Sequence, residues 1–524
     1  MNQLLLKARR LNKSWMSMYL PLAAIIIFGA FLRFYNLGAE PLWTDEGATW
    51  GFTHLPLSQL WGAAAAGETN PPLYYTLQKF WLIFGQSEAA LRSLSAIIGT
   101  LTIPLIYGLG QTLGGHWLGV IAAALLATSD INIQYSQEAR AYALFTAAAT
   151  LTIWGLASLL KTPAKAIAPI GSMFSHRLFR ITLSNHNHRS NLTSDLAWFA
   201  YIFGMSIALY SHNTAVLLYI LTNIIAFVWW ITTGRFNKQF FWNWLIANLV
   251  PLLFYAWWLP IIAKQSTGAS TIAWIPFPTI EIIIKSLNSL YGHSGRRYFS
   301  VNLFTGLVFI LGIWKWRVKP INILLTLTFI IGAPLLGVLV SFYQPIFITK
   351  IFVWTTILFF ILIAAGTLVF ERKPLVLILV SILIVFQLID TQNYYNYFRK
   401  EPWDQVAANI KTQLKPGDVI LAFGTRAYGD IDAFLYYFNK SPISEVPYHR
   451  LSLNPSELPA QLIQYTQKFD RVFLVTRQLQ DKDKKGILLS EMRQNMLELN
   501  HQHFTSNLGK LDWFLFKQFN QPPK

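Results

Sequence analysis

Apolar stretches of about twenty residues recur along the first 390 residues of the chain, and they constrain its fold more than any other feature. A helix that crosses the hydrocarbon core of a bilayer needs about 20 mostly apolar residues. The chain is 54% hydrophobic and only 13% charged, whereas a soluble protein is about a quarter charged. The stretches therefore predict an α-helical, polytopic membrane protein.

We predict eleven transmembrane helices from these stretches. They cover about residues 16–34, 93–113, 116–134, 140–160, 196–211, 214–232, 241–263, 301–314, 320–341, 351–370 and 374–390. With the amino terminus inside, the inner segments carry 16 Lys and Arg and the outer segments carry 7, which agrees with the positive-inside rule. The odd number of spans then predicts that the carboxyl terminus lies outside.

The charge of the chain is divided unevenly at residue 390. Residues 1–390 carry 25 Lys and Arg against 11 Asp and Glu, and residues 391–524 carry 17 against 13. The positive surplus lies in the hydrophobic part, where membrane topology explains it without a nucleic-acid partner. We therefore predict a transmembrane domain over 1–390 and a soluble extracytoplasmic domain over 391–524.

Two long segments lie outside the predicted membrane. The outer loop 35–92 contains two amphipathic stretches, Leu57–Ala66 and Leu73–Phe84, which predict short helices lying along the membrane interface. The tail predicts a small α/β domain, because helix and strand patterns alternate along it. Its predicted elements are a helix at 403–414, strands at 418–422, 471–476 and 512–519, and a helix at 487–499. For this domain we predict a structural or acceptor-docking role.

Carboxylates avoid the middle of every predicted span. Ion-coupled transporters usually need such a buried carboxylate within the membrane. Before residue 390, every acid except Asp195 and Glu371 falls outside or at the outer membrane face. The chain also has no cysteine, which excludes thiolate catalysis and a disulfide scaffold. The pattern favours chemistry at the outer membrane face over transport.

Three polar clusters are predicted at that face, namely Trp43–Glu46, Glu68–Tyr75 and Tyr135–Tyr142. A carboxylate that aromatic neighbours desolvate gains basicity and can act as a general base toward a hydroxyl. Asp45 and Glu46 are adjacent, so their side chains diverge by about 100° in a helix. At most one of them is therefore catalytic, and the other fixes the loop.

Glu138 and Arg140 stand at the start of the fourth predicted span. As structural residues they would cap the helix and place charge at the interface. As functional residues, Arg140 would clamp a phosphate with its fork of donors. The outer loops hold further cations that could bind phosphate or snorkel at helix ends, namely Lys264, Arg296, Arg297 and Lys350. The residues alone leave both interpretations open.

In their order along the chain, these motifs resemble the integral-membrane glycosyltransferases of the GT-C class that use a polyprenyl-phosphate sugar. Within that class the chain looks most like the bacterial branch related to protein O-mannosyltransferases and to the lipid A aminoarabinose transferase. The matching segments, within about residues 30–220, are Arg33–Phe34, Trp43–Glu46, Asn70–Tyr75, Gly85–Ser95, Tyr135–Tyr142 and Tyr210–Asn213. Pro345–Lys350 lies where such proteins usually carry a Pro-x-Phe…Arg-Tyr segment.

The resemblance implies the GT-C fold and a role for individual residues. Asp45, with Glu46 beside it, would supply the base that activates the acceptor, and Glu138 would help to shape the site. Arg140 and Lys350 would hold the donor phosphate as it leaves, and attack from the opposite side would invert the anomeric centre. The remaining candidate substrate-binding residues in the motifs are Asn70, Tyr74, Tyr142 and His212.

The sequence departs from the family pattern at two of these positions. Asn70 stands where the common form has His, and Lys350 stands where it has Arg. Lys and Arg are not equivalent at a bidentate phosphate site. Some members of the class bind a divalent metal ion near this cavity and others need none, so the metal stays open, with Glu68 and His212 as candidate ligands.

We predict a glycosyltransferase that moves a sugar from polyprenyl phosphate to a hydroxyl of a protein, lipid or envelope glycan at the outer face of a bacterial plasma membrane. Its predicted partners are the donor, the acceptor and membrane lipids, with no nucleic acid. Two alternatives stay open. The chain could be a transporter or flippase of lipid-linked saccharides, or a catalytically inactive partner in envelope assembly.

Overall fold

The computed structural model describes residues 2–62, 67–162, 186–233, 238–266, 275–293, 299–423, 430–438, 447–452, 454 and 456–519. The chain divides into two compact units. The first unit consists of Met1–Tyr35, Thr69–Tyr74 and Ser93–Asn396, and the second consists of Asn36–Glu68, Tyr75–Arg92 and Tyr397–Lys524. The second unit thus contains most of the first outer loop together with the tail. The domain borders 1–390 and 391–524 stay a prediction.

The first unit is built from apolar helices. They are Asn2–Phe34, most of Glu88–Gly114, His116–Thr128, Asp130–Ser136, Tyr142–Lys161, His186–Ser211, Ala215–Thr233, Lys238–Tyr255, Leu259–Ser266, Ile280–Tyr291, Phe299–Trp316, Pro320–Ser341, Thr356–Thr367 and Lys373–Tyr397. Two 3₁₀ helices, Ala256–Trp258 and Thr349–Thr355, run directly into the α-helices that follow them. Helices suit an apolar solvent because they satisfy every interior backbone hydrogen bond within one segment.

Eight helices in the described part of the chain are long and apolar enough to cross a membrane. A ninth is added when His116–Thr128 and Asp130–Ser136, which meet at 63°, are counted as one bent span. The apolar part of the first helix, Met18–Phe34, is shorter. Each of the eleven predicted spans falls on a helical segment. The polytopic helical class is confirmed, whereas the total of eleven and the orientation stay predictions.

The tail folds around a five-stranded sheet of order β2-β1-β3-β5-β4. The strands are β1 Val419–Phe423, β2 Tyr448–Arg450, β3 Arg471–Arg477, β4 Met496–Thr505 and β5 Lys510–Gln518. Strand β1 is parallel to β2 and β3, and β5 is antiparallel to β3 and β4. The helices of the tail are Trp403–Lys411, Asp430–Phe438, Leu458–Lys468, Leu479–Lys482 and Ile487–Asn495. The predicted small α/β domain is confirmed.

The two faces of this sheet have separate apolar cores. Phe473 and Val475 of β3 belong to one cluster, whereas Val472 and Leu474 belong to the other. This division follows from the pleat, because successive side chains of a strand point to opposite faces. A strand that is buried on both faces is apolar at nearly every position, and β1 and the interior of β3 are fully buried.

The tail also contains elements that the sequence did not predict, namely β2, β4 and the helices Asp430–Phe438, Leu458–Lys468 and Leu479–Lys482. Among the predicted elements, one changes type along its length. The helix predicted over 487–499 ends at Asn495, and Met496 begins β4. The local sequence is rich in Met, Leu and Glu, which are good helix formers. Pairing with β5, in which Met496 lies opposite Gln518, overrides that preference because it completes the sheet.

The outer loop 35–92 is largely helical. It contains Thr44–His54, Leu57–Leu60, Leu73–Trp81, the 3₁₀ helix Leu82–Phe84 and the start of Glu88–Gly114. The helix predicted over Leu57–Ala66 ends at Leu60, and residues 63–66 lie outside the described residues. That these helices lie along the membrane interface stays a prediction.

Candidate active site

The motif Tyr135–Tyr142 joins the bent helix pair to helix Tyr142–Lys161. Its Gln137 carboxamide donates hydrogen bonds to the backbone carbonyls of Arg33, at 3.1 Å, and Tyr35, at 2.8 Å. These carbonyls belong to the end of the first helix, where acceptors have no partner in the helix itself. Gln137 therefore fixes the motif against the first helix.

Arg33 has a structural position within the same region. Its buried guanidinium donates to the carbonyls of Gly29, Ala127 and Leu126 at 3.0–3.1 Å. It thereby joins the first helix to the end of helix His116–Thr128, immediately before the bend. The Arg33–Phe34 motif, for which the sequence analysis predicted no role, therefore holds two helices together next to the Tyr135–Tyr142 motif.

Glu138 and Arg140 are both buried, with 1% and 5% of their surfaces exposed. The backbone N–H of Arg140 donates to the carbonyl of Glu138 at 2.7 Å, which folds the motif into a tight turn. The carbonyl of Arg140 accepts a hydrogen bond from the Ser95 hydroxyl at 3.2 Å, and Ser95 in turn bonds the Tyr74 hydroxyl at 2.7 Å. Tyr74 therefore reaches the backbone of Arg140 through one hydroxyl group.

His212 lies at the end of helix His186–Ser211, among aromatic rings and cations. Its imidazole stacks on Phe145, with ring centroids 5.6 Å apart and planes at 14°, and lies 5.8 Å from the ring of Tyr142. The Lys350 ammonium lies 5.5 Å above the same Tyr142 ring. A cation over an aromatic face is held by the ring quadrupole. His212, Tyr142 and Lys350 thus form one cluster.

The charge state of His212 follows from this setting. Burial, together with the nearby positive charges of Arg140 and Lys350, lowers the pKa of His212 to about 3. The backbone N–H of Thr214 donates to Nδ1 at 3.2 Å, and the Thr214 hydroxyl lies 2.8 Å from the same atom. Nδ1 is therefore an acceptor, and Nε2 carries the proton of the neutral ring.

Asn213 lies in the Tyr210–Asn213 motif, but the sequence analysis predicted no role for it. Its Oδ1 accepts from the Trp258 indole at 2.7 Å and from the Tyr255 hydroxyl at 3.2 Å, and its Nδ2 donates to the carbonyl of Thr69 at 2.5 Å. Asn70, which is buried, follows Thr69 directly. Asn213 thus anchors the start of the Asn70–Tyr75 segment. Its position next to His212 in the sequence is the only feature that could have indicated this role.

Asp45 and Glu46 belong to the second unit, where they begin helix Thr44–His54. Glu46 is completely buried. It accepts a bidentate pair of bonds from Arg92, Nε to Oε1 at 2.8 Å and Nη2 to Oε2 at 2.7 Å. The Lys400 ammonium lies 3.1 Å from both oxygens. The other Arg92 donors reach the carbonyls of Leu37, Glu40 and Pro41.

Thr44, on the other side of Asp45, is also held by the tail. The Glu401 carboxylate accepts from the backbone N–H of Thr44 at 3.0 Å and from its hydroxyl at 2.5 Å. Asp45 is half-buried, between two residues that are buried. Neighbouring helical side chains point about 100° apart, so Asp45 projects from a different side of the helix than Glu46.

A metal site is not evident among the residues that the structure describes. No group of three or more His, Asp or Glu there is arranged to hold an ion. Glu68 lies in the second unit and His212 in the first. Arg296 and Arg297 lie outside the described residues.

Comparison with known proteins bears on the family and the fold of the chain. The family model described as dolichyl-phosphate-mannose-protein mannosyltransferase matches residues 69–176, which include Glu138, Arg140 and Tyr142. In fold the chain is similar to crystal structures of ArnT from Cupriavidus metallidurans. The apo structure has a TM-score of 0.56 at 9% identity and covers 96% of this chain and 98% of that one. The structure bound to undecaprenyl phosphate has a TM-score of 0.55 at 10% identity and covers 97% and 100%. No curated protein matches the chain.

The fold and the family match together define the class: this is a membrane glycosyltransferase of the GT-C fold. Within the class it is similar to the protein O-mannosyltransferases over residues 69–176 and to ArnT in fold. The resemblance that the motifs indicated is thereby confirmed, and so is the enzyme class. The roles of individual residues stay proposals.

Proposed function

We propose that the enzyme transfers a glycosyl group from a polyprenyl-phosphate donor to a hydroxyl group of its acceptor, with Asp45 as the general base. The acceptor oxygen forms a new bond to the anomeric carbon, and the bond from that carbon to the phosphate oxygen breaks. The acceptor proton passes to Asp45, and the phosphate leaves with the electron pair. Attack from the side opposite the phosphate inverts the anomeric configuration.

The observation that carries this proposal is the pair of cations beside His212. Burial first, and then the charges of Arg140 and Lys350, lower the pKa of this imidazole and keep it neutral. Two positive charges near a neutral donor in a poorly solvated site favour an anion, because desolvation strengthens charge-assisted hydrogen bonds. The leaving phosphate gains negative charge as its bond to the sugar breaks. Such charge is best stabilised by preorganised donors of this kind.

A lipid-linked phosphate is the donor class that the comparisons support. The family description names dolichyl-phosphate-mannose, and ArnT from Cupriavidus metallidurans was crystallised with undecaprenyl phosphate. Both ligands place a single phosphate on a long polyprenyl chain. In this enzyme, Arg140, Lys350 and the Nε2–H of His212 would hold that phosphate, and Glu138 would help to shape the site.

The remaining candidates act around that phosphate site. The Tyr74 hydroxyl supports the backbone of Arg140 through Ser95. The Tyr142 ring supports the ammonium of Lys350. Asn70, which Asn213 anchors through its neighbour Thr69, would contact the substrate from the Asn70–Tyr75 segment.

Asp45 is a better candidate for the base than Glu46. Both oxygens of Glu46 accept hydrogen bonds from Arg92 and Lys400. A carboxylate held by two cations favours its charged form and leaves little room for an acceptor hydroxyl. Asp45 is half-buried on a neighbouring side of the helix. Glu46 would therefore fix the helix, and Asp45 would take the proton.

The reaction is proposed for the outer face of a bacterial plasma membrane, with the amino terminus in the cytoplasm. The excess of Lys and Arg in the predicted inner segments supports this orientation. We expect no nucleotide sugar on that side of the membrane, so a sugar carried by a lipid is the expected donor.

A transfer assay with the full-length enzyme in lipid nanodiscs tests the proposal. The probes are undecaprenyl-phosphate sugars with a labelled glycosyl group, and the acceptors are envelope membranes from a strain that lacks the gene. The wild-type enzyme should transfer label and Asp45→Asn should not. Glu498→Gln, which changes a surface ion pair with Arg493, should behave as the wild type. Transfer from nucleotide sugars alone would contradict the proposed donor, and retained transfer by Asp45→Asn would contradict the proposed base.

A further inference from the structure

Lys400 and Glu401 contact the residues on both sides of Asp45. The Lys400 ammonium binds both oxygens of Glu46, and the Glu401 carboxylate binds the N–H and hydroxyl of Thr44. Both contacts lie within the second unit. Thr44 and Glu46, which flank Asp45 at the start of helix Thr44–His54, are thus each held by the peptide that leads into the tail domain.

These contacts are buried, and each of them involves at least one charged side chain. Glu46 and Glu401 are 0% exposed, Arg92 is 1% exposed and Lys400 is 3% exposed. Side chains in buried networks that satisfy their hydrogen bonds are rigid and specify one arrangement. The network therefore gives the start of the helix one position instead of an ensemble.

Glu401 also extends this network to the sheet. Its Oε1 accepts from the Arg477 guanidinium at 2.7 Å, and its Oε2 accepts from the Trp403 indole at 3.1 Å. Arg477 ends strand β3, and Trp403 begins the first helix of the tail. A continuous set of bonds thus runs from the central sheet through Glu401 to Thr44.

The helix that carries Asp45 also packs closely on the tail. A methyl group added at Gly47 would lie 2.3 Å from the backbone nitrogen of Ala433, and one added at Gly51 would lie 2.9 Å from the carboxylate carbon of Asp432. Helices approach this closely only where glycine lacks a side chain. Helix Thr44–His54 is therefore part of the same compact body as helix Asp430–Phe438.

We infer that Lys400 and Glu401 are positioning residues for Asp45, so that the tail domain is a working part of the active site. The inference rests on the proposed role of Asp45 as the base. A base must be held within a fraction of an ångström of its productive geometry, and a misplacement of about 1 Å can cost about 100-fold in rate. A helix held at Thr44 and Glu46 meets that requirement at the residue between them.

The test compares Lys400→Met with Lys400→Arg in the full-length enzyme, using the same labelled undecaprenyl-phosphate sugar. Lys400→Met should lower kcat by about 10- to 100-fold and leave the donor KM within about twofold, because the donor phosphate is bound by other residues. Lys400→Arg should recover most of kcat, because it keeps the charge. Arg399→Met is the matched control, because Arg399 is next to Lys400 in the sequence and its own side chain is 54% exposed.

A second variant covers the case in which Lys400→Met unfolds. Thr44→Val removes only the hydroxyl that bonds Glu401, and it should also lower kcat with KM unchanged. Hydrogen exchange should increase at residues 44–54 in either variant and stay unchanged in β1 and β3. Unchanged kcat in both variants, or equal losses in kcat and donor binding with exchange increased throughout, overturns the inference. An inactive wild-type enzyme instead contradicts the proposed function, and the exchange data then still decide whether Lys400 and Thr44 hold the helix.

Discussion

Lys350 holds its ammonium group 5.5 Å above the ring of Tyr142, and that ring lies against the imidazole of His212. An aromatic face attracts a cation through its ring quadrupole and carries no net charge itself. The cluster brings the positive charge of Lys350 close to His212, where the charge of Arg140 also acts. In the proposed reaction, this positive charge would attract the donor phosphate.

Replacing Arg140 should weaken donor binding more than acceptor binding. Hydrogen bonds to charged groups contribute about 1.5–3 kcal/mol, so Arg140→Ala should raise the donor KM by about 10- to 100-fold. Lys350→Ala should have a smaller effect, because Lys350 is only half-buried and acts as a point charge. Initial-rate kinetics with varied undecaprenyl-phosphate sugar measure both. Lys485→Ala, which changes an exposed lysine of the tail, is the control, and equal losses for donor and acceptor would indicate that Arg140 is purely structural.

The neutral state of His212 predicts a pH dependence of stability. The pKa of His212 falls from 6.5 to about 3 in the folded protein. Between pH 3 and pH 6.5, the unfolded chain therefore binds a proton at His212 that the folded chain does not bind. Linkage then requires that this contribution to stability is complete above about pH 6.5 and is lost as the pH falls toward 3. The difference in unfolding temperature between wild type and His212→Asn should shift in favour of the variant over that range. A difference that is constant with pH would show that His212 is protonated in the fold.

Asp45 and Glu46 should respond differently to the same loss of charge. Asp45→Asn should lower kcat by about 100- to 10,000-fold, the usual contribution of a general base, and should reduce the free energy of unfolding less than the change at Glu46 does. Glu46→Gln should destabilise the enzyme by about 3–5 kcal/mol, because it leaves the Arg92 and Lys400 charges buried without their common partner. Kinetics combined with thermal unfolding separate the two effects. A stable but inactive Glu46→Gln enzyme would reverse the assignment.

The helical class and the order of the site motifs were predictable from local sequence. Apolar segments of spanning length mark the helices because a bilayer accepts little else, and the small α/β tail is visible in its alternating patterns. Strand β4 was missed because its pairing with β5, in which Met496 meets Gln518, decides its structure against the local helix preference.

The contacts that hold helix Thr44–His54 could not be predicted in this way. Lys400 contacts Glu46 across 354 residues of sequence, and nothing in the neighbourhood of either residue indicates the partner. The sequence predicted that one acid of the Asp45–Glu46 pair would fix the loop, but only the fold shows that Arg92 and Lys400 surround Glu46. Physical contacts between distant segments depend on tertiary packing, which local periodicity does not encode.

Gly47 is the position where the packing of the Asp45 helix can be tested without changing a charge. A methyl group there would lie 2.3 Å from the nitrogen and 2.5 Å from the Cα of Ala433, and because both are backbone atoms the helices would have to separate. Overpacking of this kind costs about 1–3 kcal/mol, so Gly47→Ala should lower the unfolding temperature and reduce kcat together. Gly306→Ala is the matched control, because a methyl group on that helical glycine has no atom within 4 Å, and it should be neutral or slightly stabilising. A Gly47→Ala enzyme with wild-type stability and rate would mean that helix Thr44–His54 does not pack on Asp430–Phe438 in the working enzyme.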